Sequence, residues 1–274
     1  MFSTAVLSKF KRADTHISAL LAEIAEWNSS ARIDTDLSSD GLTFRMNLII
    51  TEAPDLDHWA CILGDAIHNM RAALDIWMWE RLTAEIEKEP KSTNVYFPIR
   101  VDENGFSRWE AEAKKQGMKD ETIAALRSIQ PFLADPAAGR NVLRHVHLLD
   151  IADKHKRIVD LRVQPQGAGP MKVSGLMQPD PASDFDVVLH NVDVRTGGTI
   201  VEITSSTRLL TATAKPRIQL IPYYVFGGDV CELWENLGRY SSHLQTQLSI
   251  VERRAIEMKE FATGDVSSLQ FSEA

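Results

Sequence analysis

The sequence contains few cysteines, since Cys61 and Cys231 are the only two among 274 residues. Two cysteines cannot form a disulfide framework or a C-x-x-C zinc pattern, and this usage favours a reducing compartment. No stretch approaches the roughly 18 consecutive apolar residues that a membrane span needs. The first residues also lack the basic segment, apolar core and cleavage site of a secretory signal. We therefore expect a cytoplasmic protein with no membrane partner.

Several motifs that carry well-defined chemistry are absent as well. The chain has no G-x-x-x-x-G-K-[ST] phosphate loop, no G-x-G-x-x-G, no G-x-S-x-G and no H-E-x-x-H. No cofactor is therefore predicted. A formal net charge of -8 argues against a broad nucleic-acid-binding surface. It leaves room for a small basic pocket that takes RNA.

Helical periodicity dominates both ends of the chain. Apolar residues recur at steps of three and four over 4–27, from about 56 to 87, over roughly 139–157 and over about 229–261. Two shorter helices are predicted between 107 and 132, and the polar stretch 28–41 is predicted to be a loop. Helices this long, with apolar stripes, favour an antiparallel bundle.

Between residues 157 and 226, runs of β-branched residues alternate with Gly, Pro and Asp. This pattern predicts a small antiparallel sheet inserted before the last long helix, and the strand predicted over 42–51 is a candidate to join it. We therefore expect an α+β fold in a single domain over 1–274. Its bundle would comprise about 1–156 and 229–261, and 262–274 would be a flexible tail.

The helix that contains GDAIHNMRAALDIWMWERL, residues 64–82, carries three charged or titratable residues on one face. His68, Arg71 and Asp75 follow one another at steps of three and four, so they lie within a narrow arc. We predict that this arc is at least half buried and that the sector of Ala66, Asn69, Ala73 and Glu80 faces water. Buried ions must be paired or used, because an unpaired buried charge is very costly.

A second cluster lies in DIADKHK, residues 150–156. His155 falls on the apolar face of its helix near the C-terminal end, where the helix dipole favours a cation. Asp153 and Lys154 precede it. If the two helices face each other in the bundle, His155 would approach Arg71 and Asp75.

At these motifs the chain resembles a largely uncharacterised bacterial family. The shared pattern is G-D-x-x-H-N-x-R-x-A-L-D, then F-P-I, then Q-P-[YF], then D-K-H-[KR]. Here these parts begin at Gly64, Phe97, Gln130 and Asp153. The resemblance covers about residues 55–160.

More distantly, the chain is similar to HEPN domains, which are helical bundles that include many dimeric ribonucleases of bacterial defence and toxin systems. Members of that group carry an Arg and a His separated by four to six residues. Arg140 and His145 of RNVLRH have this spacing. The resemblance thus implies a helical dimer and names Arg140 and His145 as an alternative catalytic pair.

Three hypotheses follow, and the sequence leaves open whether the chain is an enzyme. In the first, the network is structural and the protein has a structural or binding role. In the second, the chain is a metal-independent ribonuclease. His155 or His145 would then move the proton, Arg71 or Arg140 would hold the phosphate, and Asp75 would orient one of them.

The second hypothesis draws its candidate catalytic residues from both clusters: His68, Arg71, Asp75, Asp153, Lys154 and His155. In the third hypothesis, His68, Asp75, Asp153 and His155 bind a metal ion between two helices. The sequence does not identify the metal. It also leaves the oligomeric state open, with a homodimer as one candidate.

Overall fold

A computed structural model of the chain describes residues 2–86, 96–134, 141–155, 161–167, 184–190, 192–193, 195–209, 218–226 and 229–263. It confirms the α+β class. The described helices are α1 (Thr4–Ser30), α2 (Leu56–Glu85), α3 (Glu103–Lys115), α4 (Asp120–Arg127), α5 (Val142–His155) and α6 (Leu233–Thr263). The described strands are β1 (Arg32–Leu37), β2 (Thr43–Ile49), β3 (Leu161–Gly167), β4 (Phe185–Leu189), β5 (Gly198–Ser205), β6 (Ile218–Phe226) and β7 (Asp229–Glu232).

The chain divides into two compact units. Unit 1 comprises Met1–Ile17, Cys61–Val159 and Asn236–Ala274, and unit 2 comprises Ser18–Ala60 and Asp160–Glu235. The expectation of a single domain over 1–274 stays a prediction.

Unit 1 is helical, and the last helix packs on earlier ones as predicted. Trp77 of α2 donates a hydrogen bond from Nε1 to Glu252 Oε1 of α6 at 3.1 Å. His145 Nδ1 of α5 lies 3.0 Å from the Tyr240 hydroxyl of α6. The unit buries large apolar side chains on each of these helices, and they include Leu63, Met70, Leu149 and Leu248.

Unit 2 contains two antiparallel sheets where the sequence predicted one. The first has the order β1-β2-β5-β4 and the second the order β3-β6-β7. Strand β2 alternates as predicted, with Phe44, Met46 and Leu48 buried, and it joins the sheet by pairing with β5.

Two features predicted from the sequence were wrong, namely the loop over 28–41 and the start of the last helix. The presumed loop over 28–41 contains β1, whose main chain pairs with β2 from Arg32 to Leu37. Its polar, mostly exposed residues hide it from a hydrophobicity pattern, because edge strands are held by main-chain hydrogen bonds. The last helix begins at Leu233, because Asp229–Glu232 pair with β6 as β7. The run predicted as a strand over 171–177 and the tail beyond Thr263 lie outside the described residues.

Candidate functional site

Of the residues predicted to form a site, His68, Arg71 and Asp75 lie on α2 and Asp153 lies on α5, and these two helices pack together in unit 1. The two helices run antiparallel, because Gly64 lies against Asp153 while His68 Nδ1 lies 3.4 Å from Asp150 Oδ1. Moving three residues forward along α2 and three back along α5 brings Arg71 level with His147. The fold thus brings the first and last motifs into contact at Gly64 and Asp153.

The core of the site is a bidentate ion pair within α2. Arg71 donates from Nη2 to Asp75 Oδ1 at 2.8 Å and from Nε to Asp75 Oδ2 at 3.1 Å. The side chain of Arg71 is 9% exposed and that of Asp75 is 26% exposed. Two parallel N–H···O hydrogen bonds fix the orientation of the guanidinium and carboxylate planes. The pair is therefore stronger and more specific in geometry than an exposed ion pair.

Both members of the pair also bind the main chain of Phe97. Arg71 Nη2 donates to the Phe97 carbonyl at 2.8 Å, and the Phe97 N–H donates to Asp75 Oδ1 at 2.8 Å. We call Arg71, Asp75 and the Phe97 main chain the Arg71 clamp. It attaches the extended segment 96–100 to α2 and satisfies buried polar groups of that segment.

Gln130 holds the same segment from the other side. Its side-chain amide donates to the carbonyls of Pro98 and Leu126 at 2.9 and 3.0 Å. Its Oε1 accepts from the Arg100 N–H at 2.9 Å. Gln130 is 1% exposed. Three of the quoted motifs therefore meet at segment 96–100, and the fourth contacts the first through Asp153 and Gly64.

The burial of α2 differs from the sequence prediction. Ala66, Asn69 and Ala73, predicted to face water, are buried, because small side chains allow neighbouring elements to approach the helix closely. Asn69 is satisfied by donating to the Asp65 carbonyl at 2.8 Å. The exposed side of α2 instead carries Cys61, Asp65, His68 and Trp79. His68 therefore opens to solvent while Arg71 is buried behind it.

The electrostatics of the site centre on two groups. Burial raises the pKa of Asp75, an effect opposed by the charge of Arg71 and by the hydrogen bond from the Phe97 N–H. Burial also lowers the pKa of His147 to about 4, with Arg71 and Arg100 lowering it and Asp150 opposing them. His147 is therefore neutral near pH 7.

The remaining predicted site residues are placed less fully. Position 155 lies eight residues beyond His147, about 12 Å along α5 at 1.5 Å per residue, so the register does not set it level with Arg71. The side chains of Lys154 and His155, and Arg140 as a whole, lie outside the described residues. His145 of the alternative pair contacts Tyr240.

Sequence reasoning missed His147, Asp150 and Arg100. A signal was available for two of them, since His147 and Asp150 are three residues apart and so share one face of α5. Arg100 had no helical spacing to reveal it.

The described residues contain neither a candidate metal-binding cluster nor a candidate membrane-spanning helix. No group of three or more His, Cys, Asp and Glu residues there could hold a metal ion. No helix in the described ranges is long and apolar enough to cross a membrane.

Comparisons of the chain with protein-family models, curated proteins and solved structures found no match.

Proposed function

We propose that this chain is a binding protein and that its His-Arg-Asp network has a structural role. The observation that carries the proposal is the Arg71 clamp. Asp75 accepts from Arg71 and from the Phe97 N–H, while two of the three guanidinium nitrogens of Arg71 are engaged by Asp75 and the Phe97 carbonyl. Because the Asp75 carboxylate and most of the Arg71 guanidinium are already hydrogen-bonded, they are better suited to fixing segment 96–100 than to transferring a proton.

The experiment compares the wild type with Arg71→Ala and His68→Ala. Each protein is melted and then incubated with mixed RNA. We expect no cleavage above the buffer control, a lowered melting temperature for Arg71→Ala because Asp75 loses its buried partner, and a smaller decrease for His68→Ala, whose side chain is 52% exposed. Cleavage by the wild type that folded His68→Ala lacks would overturn the proposal.

A ribonuclease of the HEPN-like kind is the second candidate, and one observation favours it. The His68 side chain is 52% exposed, whereas its partner Asp150 is 8% exposed at the side chain and lies 3.4 Å away. A buried carboxylate behind an accessible imidazole is the arrangement of a general base, since the carboxylate fixes the ring and stabilises its cation. In this candidate His68 moves the proton of the ribose hydroxyl, and Arg71 supports the phosphate.

The bacterial family resemblance, a homodimer and the cytoplasm are carried forward as parts of the proposal. Three of the motifs that define the resemblance meet at segment 96–100, and the fourth contacts the first through Asp153 and Gly64, which supports interpreting them together. Size determination of the purified chain by light scattering tests the dimer directly.

A further inference from the structure

Arg71 keeps one donor that the clamp does not use. Among the buried side-chain nitrogen and oxygen atoms of the described residues, Arg71 Nη1 is the one that lacks a hydrogen-bond partner. An unsatisfied buried group of this kind carries a desolvation cost, which is larger when the group is charged. Such a group in a native protein calls for an explanation, and binding of an ion or a ligand is one.

Two further basic groups lie near this donor. His147 is level with Arg71 in the antiparallel register of α2 and α5, and it is half-buried. Arg100 follows three residues after Phe97, whose carbonyl accepts from Arg71 Nη2. The Arg100 backbone is fixed by Gln130, and its side chain is exposed and makes no ion pair within the described part of the chain.

The acidic groups near Arg71 Nη1 and His147 have hydrogen-bond partners of their own. Asp75 of α2 accepts from Arg71 Nη2 and Nε and from the Phe97 N–H. Asp150 of α5 lies against His68 of α2. The charged groups that act on His147 are Arg71, Arg100 and Asp150. Asp75 balances the charge of Arg71, and Asp102 acts on Arg100, so the attraction for an anion comes from the hydrogen-bond donors of Arg71 Nη1, Arg100 and His147.

We propose that Arg71 Nη1, Arg100 and His147 form a binding site for a phosphate group. Three donors from α2, α5 and the segment 96–100 suit a tetrahedral oxyanion, and guanidinium groups bind phosphate oxygens with particular strength. A phosphate group would then be the ligand of the proposed binding protein. This inference rests on the proposed function, because the Arg71 clamp fixes the direction of the free Nη1 atom. Arg71 Nη1 is shielded from solvent, so a ligand reaches it only when neighbouring side chains move.

Binding of the anion is coupled to protonation of the His147 imidazole. A bound anion favours the charged imidazolium, so the complex takes up a proton that the free protein lacks. Affinity therefore rises as the pH falls from 7 toward 5. The imidazolium then becomes a further hydrogen-bond donor to the anion.

The test follows histidine ring signals of the full chain by NMR during titration with inorganic phosphate, with His147 assigned from His147→Gln. We expect saturable shifts at His147. Isothermal titration calorimetry with phosphate measures the affinity of the variants, and Arg100→Gln and His147→Gln should each bind roughly tenfold more weakly, because each removes a hydrogen bond to the anion. Arg144→Gln, an exposed arginine of the same helix, is the matched control and should bind like the wild type.

A second titration uses inorganic sulfate, whose charge is constant between pH 5 and 7, and it should bind more tightly at pH 5. A third uses adenosine monophosphate. Tighter binding than phosphate identifies a nucleotide as the source of the phosphate group, and equal binding identifies free phosphate.

The proposal is overturned if phosphate causes no saturable shift at His147, or if Arg100→Gln and His147→Gln bind it like the wild type. This failure is separable from failure of the proposed function. The latter would appear as an unchanged melting temperature of Arg71→Ala or as RNA cleavage.

Discussion

The Asp153 carboxylate of α5 occupies the space beside Gly64 of α2 that a Cβ atom there would need. A Cβ atom placed on Gly64 would lie 2.6 Å from Asp153 Oδ1 and 3.0 Å from Oδ2. This contact joins the first residue of one motif to the first residue of another. It sets the register that places His68 against Asp150 and Arg71 level with His147.

Gly64→Ala should destabilise the protein by about 1 kcal/mol, because the added methyl group must displace the Asp153 carboxylate from its position. The free energy of unfolding in denaturant measures this. Gly238→Ala in α6 is the control, since a Cβ there meets nothing within 4 Å. That control should be neutral or more stable, as alanine favours helix. Equal effects of the two changes would refute the close packing.

The stability of the protein should decline as the pH falls from about 6.5 toward about 4, with His147 as one cause. Burial lowers the pKa of His147 to about 4, so the unfolded chain binds a proton in this interval that the folded chain does not. Stability is present above the unfolded value of 6.5 and is lost as the pH falls through the folded value.

His147→Gln should flatten this pH dependence. Denaturant unfolding at pH 7, 6, 5 and 4.5 measures the slope. The exposed His190 provides the matched control, and His190→Gln should keep the wild-type slope. A His147→Gln slope equal to that of the wild type would show that His147 does not make this contribution.

Gln130→Ala should cost about 2–3 kcal/mol, because it removes three hydrogen bonds of a buried amide at about 1 kcal/mol each. The segment 96–100 loses its attachment to the end of α4, so its amide protons should exchange faster. Hydrogen exchange and denaturant unfolding measure both effects. Gln247→Ala on α6 should change neither by much, and similar losses for both glutamines would disprove the role of Gln130.

The helices and the shared face of His68, Arg71 and Asp75 were largely predictable from the sequence. The steps between His68, Arg71 and Asp75 fix their common face of α2, since side-chain direction in a helix follows from spacing. What spacing cannot supply is which face packs on which neighbour. The burial of Ala66 and Ala73 depends on how closely other elements approach, and small residues fit a buried and an exposed face equally well.

Other features depended on groups far apart in the sequence. Strand β1 is recognisable by main-chain pairing with β2 and carries little apolar signal. The partner of Asp75 in segment 96–100 is a main-chain N–H, which no sequence pattern marks. His147 acquires its low pKa from burial and from Arg71 and Arg100, so its role emerges after α5 is set against α2.

A double-mutant cycle between Arg71 and Asp75 tests the structural clamp most directly. The free energy of unfolding is measured for the wild type, Arg71→Met, Asp75→Leu and the double variant. Removing one partner leaves the other unpaired and should cost about 3 kcal/mol, whereas removing both should cost less than the sum. We predict a coupling energy of about 1–3 kcal/mol. Single costs that add to within about 0.5 kcal/mol would contradict the clamp.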